Sequence, residues 1–231
     1  MIPLRDAAPS PSFPAATVLF IALNVLAFLY ELSLGRQLDV FIMQYGAVPL
    51  RFILAGQMEQ VSTAERFLPL LTSMFLHGGW LHLGGNMLYL WIFGDNVEDR
   101  LGRGRFLAFY LASGLAAALT QIYVHPTSKI PMVGASGAVA GVLGGYLLLF
   151  PRSRVLALIP IVFFFQIVEL PAALFLVFWF LMQFFNGAIA ITGSPYMTGG
   201  VAWWAHIGGF VGGVALAFLI PKRQYKRQLW T

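Results

Sequence analysis

The sequence predicts an all-α polytopic membrane protein with six transmembrane helices. Of its 231 residues, 59% are hydrophobic and only 10% are charged, and the mean hydropathy of +0.78 is well above that of a soluble domain. The apolar residues form runs long enough to cross a hydrocarbon layer about 30 Å thick. The chain has no cysteine, which excludes disulfides and thiolate metal sites.

Proline, glycine and charged residues divide the apolar runs into six predicted spans. These spans cover about residues 14–34, 80–94, 106–124, 136–150, 171–191 and 202–220. Residues 1–13 are expected to be a disordered cytosolic lead, residues 14–221 a six-helix membrane domain and residues 222–231 a basic cytosolic tail. Residues 35–80 contain only short apolar pieces, so we expect a long interfacial loop of short helices between the first two spans. The run from Val155 to Val168 lies between prolines and is interpreted as interfacial or re-entrant.

The positions of Lys and Arg predict the orientation of the spans, because cytosolic loops are enriched in these residues. If both termini lie on one side, that side holds Arg5, Arg100, Arg103, Arg105, Arg152, Arg154, Lys222, Arg223, Lys226 and Arg227. The other side holds only Arg36, Arg51, Arg66 and Lys129. We therefore expect a multi-pass protein of a bacterial plasma membrane with both termini in the cytosol. The net charge of +5 comes from these dispersed residues and does not indicate a nucleic-acid partner.

Polar side chains inside the spans are candidates for function, because burying them in hydrocarbon is costly. The fourth span opens at Ser136, the sixth carries His206 and the second carries His82. Ser136 and His206 each lie 15 residues before the proline that ends their span, and His82 lies 15 residues before a position in the charged turn that ends its own. The three spans run from outside to inside, so these residues are expected at one depth near the outer face. Asn86 lies one turn deeper on the face of His82.

Glycine rows predict close packing between the fourth and sixth spans, because small residues four apart let membrane helices approach closely. The rows are Gly137, Gly141 and Gly145 in the fourth span, and Gly208, Gly209, Gly212 and Gly213 in the sixth. We therefore expect His206 to reach the Ser136 hydroxyl. A serine becomes an effective nucleophile when a base takes its proton, and neutral imidazole suits that role near pH 7. No Asp or Glu is expected at this depth, so the pattern predicts a Ser-His dyad without a third acid.

Donors for a developing oxyanion are also present. The backbone N–H of Ser136, near a helix N-terminus, and the side chains of Asn86 and His82 are candidates. Taken singly, each of these residues has a simpler interpretation as a hydrogen bond within or between helices. Zinc binding by His77, His82 and His206 is a further alternative, which we disfavour because no carboxylate or thiolate completes the ligand set.

Together these residues make the chain resemble a rhomboid intramembrane serine protease. The matching motifs are Gly134-Ala135-Ser136-Gly137, Ala205-His206-Ile207-Gly208-Gly209 and His82-Leu83-Gly84-Gly85-Asn86. Their order and the six-span layout agree with the family over about residues 14–220. The resemblance implies a rhomboid-like bundle in which Ser136 is the nucleophile and His206 the general base. It also assigns His82 and Asn86 to the oxyanion site.

The resemblance further implies a serine endopeptidase that cleaves single-pass transmembrane proteins near the outer membrane face, without metal, ATP or other cofactor. Gly134 and His77 resemble supporting residues of the family's site. Two features depart from the pattern of some members. Residues 35–79 contain no tryptophan where those members carry a Trp-Arg pair, and Ala140 replaces an aromatic residue that stacks on the histidine. The second departure leaves the orientation of His206 unexplained.

Two other functional classes are alternatives for this sequence. A catalytically inactive rhomboid-like protein would bind membrane clients without cutting them, but such proteins typically lose the serine or histidine that this chain keeps. A transporter is expected to show two similar halves, and no such repeat is visible in the sequence.

Substrate is expected to reach the serine sideways between helices. The predicted gate is the fifth span, whose bulky residues, such as Phe178 and Trp179, pack through side chains. Residues 192–200 are predicted to form a movable cap on the outer side. Glu169 is expected to anchor the fifth span and to take no part in catalysis.

Overall fold

The chain is mostly helical in the computed structural model, which describes residues 1–161, 164–192 and 201–223. The strands in these ranges are β1 (Ile2–Asp6), β2 (Arg154–Ile161) and β3 (Phe164–Pro171). The helices are α1 (Ala15–Ser33), α2 (Leu38–Tyr45), α3 (Pro49–Ala55), α4 (Thr63–Thr72), α5 (Trp80–Leu101), α6 (Arg103–Val124), α7 (Ser136–Leu149), α8 (Ala172–Thr192) and α9 (Trp203–Leu219). Within the described ranges, short 3-10 turns occur at Gly35–Gln37 and Ser73–Phe75.

Helices α1, α5, α6, α7, α8 and α9 lie at the positions of the six predicted spans. Among the described residues, α1, α6 and α8 are long and apolar enough to cross a membrane. Helices α7 and α9 are apolar but shorter, with 14 and 17 residues. It stays a prediction that all six of these helices cross the bilayer. The connection between α1 and α5 contains the short helices α2, α3 and α4, and their location in the membrane interface also stays a prediction.

Helix α5 is longer than expected. The sequence predicted a turn at residues 95–100, whereas the helix continues through them to Gly102, whose φ of +85° favours glycine. Glu98 is buried in this last part of the helix and accepts hydrogen bonds from the backbone N–H groups of Ala16 and Thr17, at 3.0 and 2.7 Å. The Thr17 hydroxyl donates to the same carboxylate at 2.8 Å. Glu98 thus caps the N-terminus of α1, and this partner explains how a charged residue remains in a packed helix.

A three-stranded antiparallel sheet contradicts the all-α prediction. Strands β2 and β3 pair from Arg154 with Pro171 to Ile161 with Phe164, and β1 pairs with the other edge of β2. The run interpreted as re-entrant is therefore a hairpin, and the lead predicted to be disordered contains a strand. Val155 and Ala157 of β2 are fully buried, as the alternation of a strand allows. An apolar run of this length does not distinguish a strand from a buried helix.

The core is aromatic and lies among α5, α6, α7 and α8. Its fully buried rings are Phe93, Phe106, Phe109, Tyr110, Tyr146 and Phe175. The Tyr146 hydroxyl donates to the Asp6 carboxylate of β1 at 2.6 Å. Burial raises the pKa of the Asp6 carboxyl group, against the lowering effect of this bond. The N-terminal strand is therefore tied to the helix that begins at Ser136.

Glycines bring α7 and α9 into backbone contact. A Cβ added at Gly209 would overlap the carbonyl oxygen of Gly137, and one added at Gly213 would overlap that of Gly141. Only a residue without a side chain permits this approach. Gly208 packs instead against α6, so the parallel glycine row of α9 faces a different neighbour. The contact between α7 and α9 sets the distance between the side chains at the N-terminal ends of these two helices.

Candidate active site

Ser136 and His206 meet across the contact between α7 and α9. Ser136 is the first residue of α7, and His206 lies in the first turn of α9. The distance from His206 Nε2 to Ser136 Oγ is 2.8 Å. This is the separation that proton transfer from a nucleophile to a base requires. The structure therefore brings together the two residues that the sequence analysis paired.

The other side of the His206 ring contacts α8, which the sequence analysis did not foresee. Gln183 Oε1 lies 2.8 Å from His206 Nδ1, and the ring centroids of Trp179 and His206 are 6.0 Å apart. The Trp203 ring stands edge-on to His206 at 6.1 Å. Two indoles and an amide thus surround the His206 imidazole in place of the aromatic residue that Ala140 replaces. The available signal was a lone glutamine within an apolar run, since polar residues in such runs are functional candidates.

Asn86 lies in the same cavity as Ser136 and is held there by His77. Asn86 Nδ2 is 3.1 Å from His77 Nε2, and an amide nitrogen only donates, so the ring nitrogen accepts. His77 Nδ1 faces the carbonyl oxygen of Phe75 at 3.3 Å and therefore carries the proton. Burial lowers the pKa of His77 to about 4, with a smaller contribution from His82. His77 is thus neutral, and the Asn86 amide keeps a second hydrogen for another acceptor.

His77 is itself anchored to α1. Its backbone N–H lies 3.1 and 3.2 Å from the two carboxylate oxygens of Glu31, which is 1% exposed. The Ala135 backbone N–H, one residue before Ser136, approaches His77 Nε2 at 3.5 Å. The sequence analysis missed Glu31, although an acid inside an apolar span was the available signal. His77 therefore connects the first helix with the start of α7.

Gly134 lets the His82 ring lie against the loop before Ser136. Its φ is +123°, and an added Cβ would lie 2.6 Å from His82 Nε2. The Gly78 backbone N–H is 3.4 Å from His82 Nδ1. That nitrogen accepts, so a neutral His82 carries its proton on Nε2, beside Gly134. The Nε2–H group of the ring is therefore beside Gly134, two residues before Ser136 in the chain.

A cavity of about 1100 Å³ opens at these residues. Its lining includes Ser136, His206, His82, Asn86, Gln183 and Trp179. Its volume is slightly above the range of about 300 to 1,000 Å³ that is common for small-molecule sites. Of the predicted cap, residues 193–200 lie outside the described residues. Glu169 is not in the lining; it pairs with Arg154 across the hairpin at 3.2 Å, before α8 begins. Among the described residues, no three His, Cys, Asp or Glu side chains are grouped to hold a metal ion.

The chain is similar to several known proteins of one family. A family model described as Rhomboid domain matches residues 64–223. The chain is 38% identical over 135 residues to Rhomboid protease GluP of Bacillus subtilis. That alignment covers 58% of this chain and 24% of GluP. It is 30% identical over 182 residues to Rhomboid protein 1, mitochondrial, of Saccharomyces cerevisiae, covering 77% of this chain and 49% of that protein. Putative rhomboid protease YdcA of Bacillus subtilis is 32% identical over 159 residues, covering 68% of this chain and 69% of YdcA. The chain thus spans less than half of the first two relatives.

Proposed function

This chain belongs to the rhomboid family of integral membrane proteins, and from that membership we propose that it is an intramembrane serine endopeptidase. The observation that carries the proposal is the 2.8 Å hydrogen bond between Ser136 Oγ and His206 Nε2 beside a cavity of about 1100 Å³. Its similarity to Rhomboid protease GluP supports the same reaction. The substrates are single-pass transmembrane proteins.

The proposed reaction begins with proton transfer from Ser136 Oγ to His206 Nε2. The oxygen attacks the carbonyl carbon of the scissile peptide bond, and the tetrahedral intermediate carries negative charge on the former carbonyl oxygen. Asn86 Nδ2, His82 Nε2 and the Ser136 backbone N–H stabilise this oxyanion by hydrogen bonds. His206 then gives its proton to the leaving amine nitrogen, and water, activated by the same imidazole, releases the acyl group. These steps use protein groups alone and need no metal or other cofactor.

The proposed topology follows from the charge distribution and the helix positions. The six helices from α1 to α9 that match the predicted spans cross a bacterial plasma membrane within residues 14–221, with both termini in the cytosol. Ser136 then lies near the outer face, and substrates are cut near their outer ends. Strand β1 packs on the cytosolic side of this domain, so the lead is part of the folded unit.

A serine-directed fluorophosphonate probe tests the proposal. The purified wild-type protein should be labelled at Ser136, as located by mass spectrometry of the modified peptide. Ser136→Ala should abolish the label, and His206→Ala should reduce it by at least 100-fold, because general-base catalysis contributes about that much or more. A catalytically inactive client-binding protein would instead show no labelling of folded wild-type protein.

A further inference from the structure

The second nitrogen of His206 is held by a residue that the proposed dyad leaves out. Gln183 lies in the middle of α8 and is 8% exposed. Its side-chain oxygen is 2.8 Å from His206 Nδ1, while Nε2 of the same ring faces Ser136 Oγ, also at 2.8 Å. The imidazole is therefore bridged between α7 and α8, although it belongs to α9.

We propose that Gln183 is a positioning residue for the general base, accepting the Nδ1 proton so that the Nε2 lone pair faces Ser136. The inference rests on the proposed function. A neutral imidazole carries one N–H, and the bond made by one nitrogen decides whether the other accepts or donates. With Nδ1 donating to Gln183, Nε2 is the acceptor, which is the state that receives the serine proton.

An amide suits this position better than a carboxylate. A carboxylate buried at membrane depth would have to be desolvated, whereas an amide oxygen accepts the same hydrogen bond without a charge. Gln183 therefore supplies the orientation that an acidic third member would give. This accounts for a Ser-His pair whose nearest supporting partner is uncharged.

Gln183 also couples the base to the helix that was predicted to be the gate. Helix α8 presents a largely exposed apolar face, including Phe178 and Phe185. Trp179, which the sequence analysis assigned to the packing of this gate, lies against His206 and Phe210 of α9. An outward movement of α8 would withdraw both Gln183 and Trp179 from the imidazole. The base is then aligned only while α8 is in its packed position.

Two substitutions at one position test the role. Gln183→Leu keeps the approximate volume and removes the acceptor, so kcat for cleavage of a transmembrane substrate should fall about 10- to 100-fold with little change in KM. Gln183→Glu restores an acceptor and should recover most of this loss. Its carboxylate would also stabilise the imidazolium, moving the acid limb of the pH–rate profile to higher pH. A purely structural role would leave the kcat of folded Gln183→Leu at the wild-type value, with no loss for Gln183→Glu to recover.

The matched control is Asn186→Leu on the same helix. Among the described residues, the Asn186 side chain donates to the carbonyl oxygen of Met182, within α8, so its loss should leave kcat unchanged. If Gln183→Leu cleaves the substrate as fast as wild type, this inference is wrong and the proposed function stands. If the wild-type protein does not cleave at all, the proposed function is wrong. If Gln183→Leu does not fold, an unshifted profile in folded Gln183→Glu overturns the inference.

Discussion

The close contact between α7 and α9 predicts that one added methyl group will separate the proposed catalytic pair. In Gly209→Ala, the new Cβ would overlap the carbonyl oxygen of Gly137, so the two helices must move apart by about 1 Å to restore van der Waals contact. The distance from Ser136 Oγ to His206 Nε2, now 2.8 Å, then leaves hydrogen-bonding range. A misplacement of about 1 Å costs about 100-fold in rate.

Stability should respond less than activity. Overpacking should lower the free energy of unfolding by about 1 to 3 kcal/mol, and the better helix propensity of alanine should offset up to about 1 kcal/mol of this loss. The assay is the initial rate of cleavage of a transmembrane substrate in liposomes, with thermal unfolding measured in parallel.

The matched control is Gly104→Ala in α6, where an added Cβ meets nothing within 4 Å. It should cleave at the wild-type rate. A Gly209→Ala protein that is as active as wild type would show that this helix contact does not set the catalytic geometry.

Four further predictions follow from individual contacts. Asn86→Ala should lower kcat by about 10- to 1,000-fold, because one oxyanion donor is lost while others remain; unchanged turnover would remove Asn86 from that role. Glu98→Ala leaves buried N–H groups at the start of α1 without their acceptor and should lower the free energy of unfolding by about 1 to 3 kcal/mol, whereas an unchanged melting temperature would contradict the capping role. The pKa of His77, lowered by burial to about 4, means that the unfolded chain binds this proton more readily than the folded protein, so stability falls as the pH decreases below about 6.5. Between pH 7 and pH 5 the free energy of unfolding should fall by about 2 kcal/mol from this effect. Thermal unfolding of His77→Gln should therefore show a smaller loss of stability over this pH range than wild type, and equal losses would refute the assignment to His77. Glu169→Gln removes an exposed ion pair with Arg154 and should leave turnover unchanged, so lost turnover with intact thermal stability would contradict its position outside the site.

The positions of the long helices could be predicted from the sequence because each apolar run carries its own signal. The glycine rows likewise indicated that Gly209 would approach the fourth span, since small residues at four-residue spacing act locally. The motif around Ser136 indicated the family, and the match over residues 64–223 confirms it.

Other features depend on partners distant in the chain. Strand β1 pairs with β2 of the hairpin, although it lies about 150 residues earlier in the chain. No local pattern near Ile2 predicts that pairing. Charged residues at 95–100 favoured a turn, but Glu98 stays helical because it caps another helix. Gln183 stood out as polar, yet the sequence did not reveal which neighbour its side chain meets. Glu31 also stood out as an acid within an apolar span, and the sequence did not reveal that it meets the backbone of His77.

Ser136 is proposed to cleave transmembrane proteins near the outer membrane face. The most direct measurement is incubation of the purified protein with a single-pass substrate in liposomes, followed by mass spectrometry of both fragments. Wild type should produce one cut near the outer end of the substrate helix, and Ser136→Ala should produce none. Cleavage by Ser136→Ala at the wild-type rate, or a cut near the cytosolic end, would contradict the account.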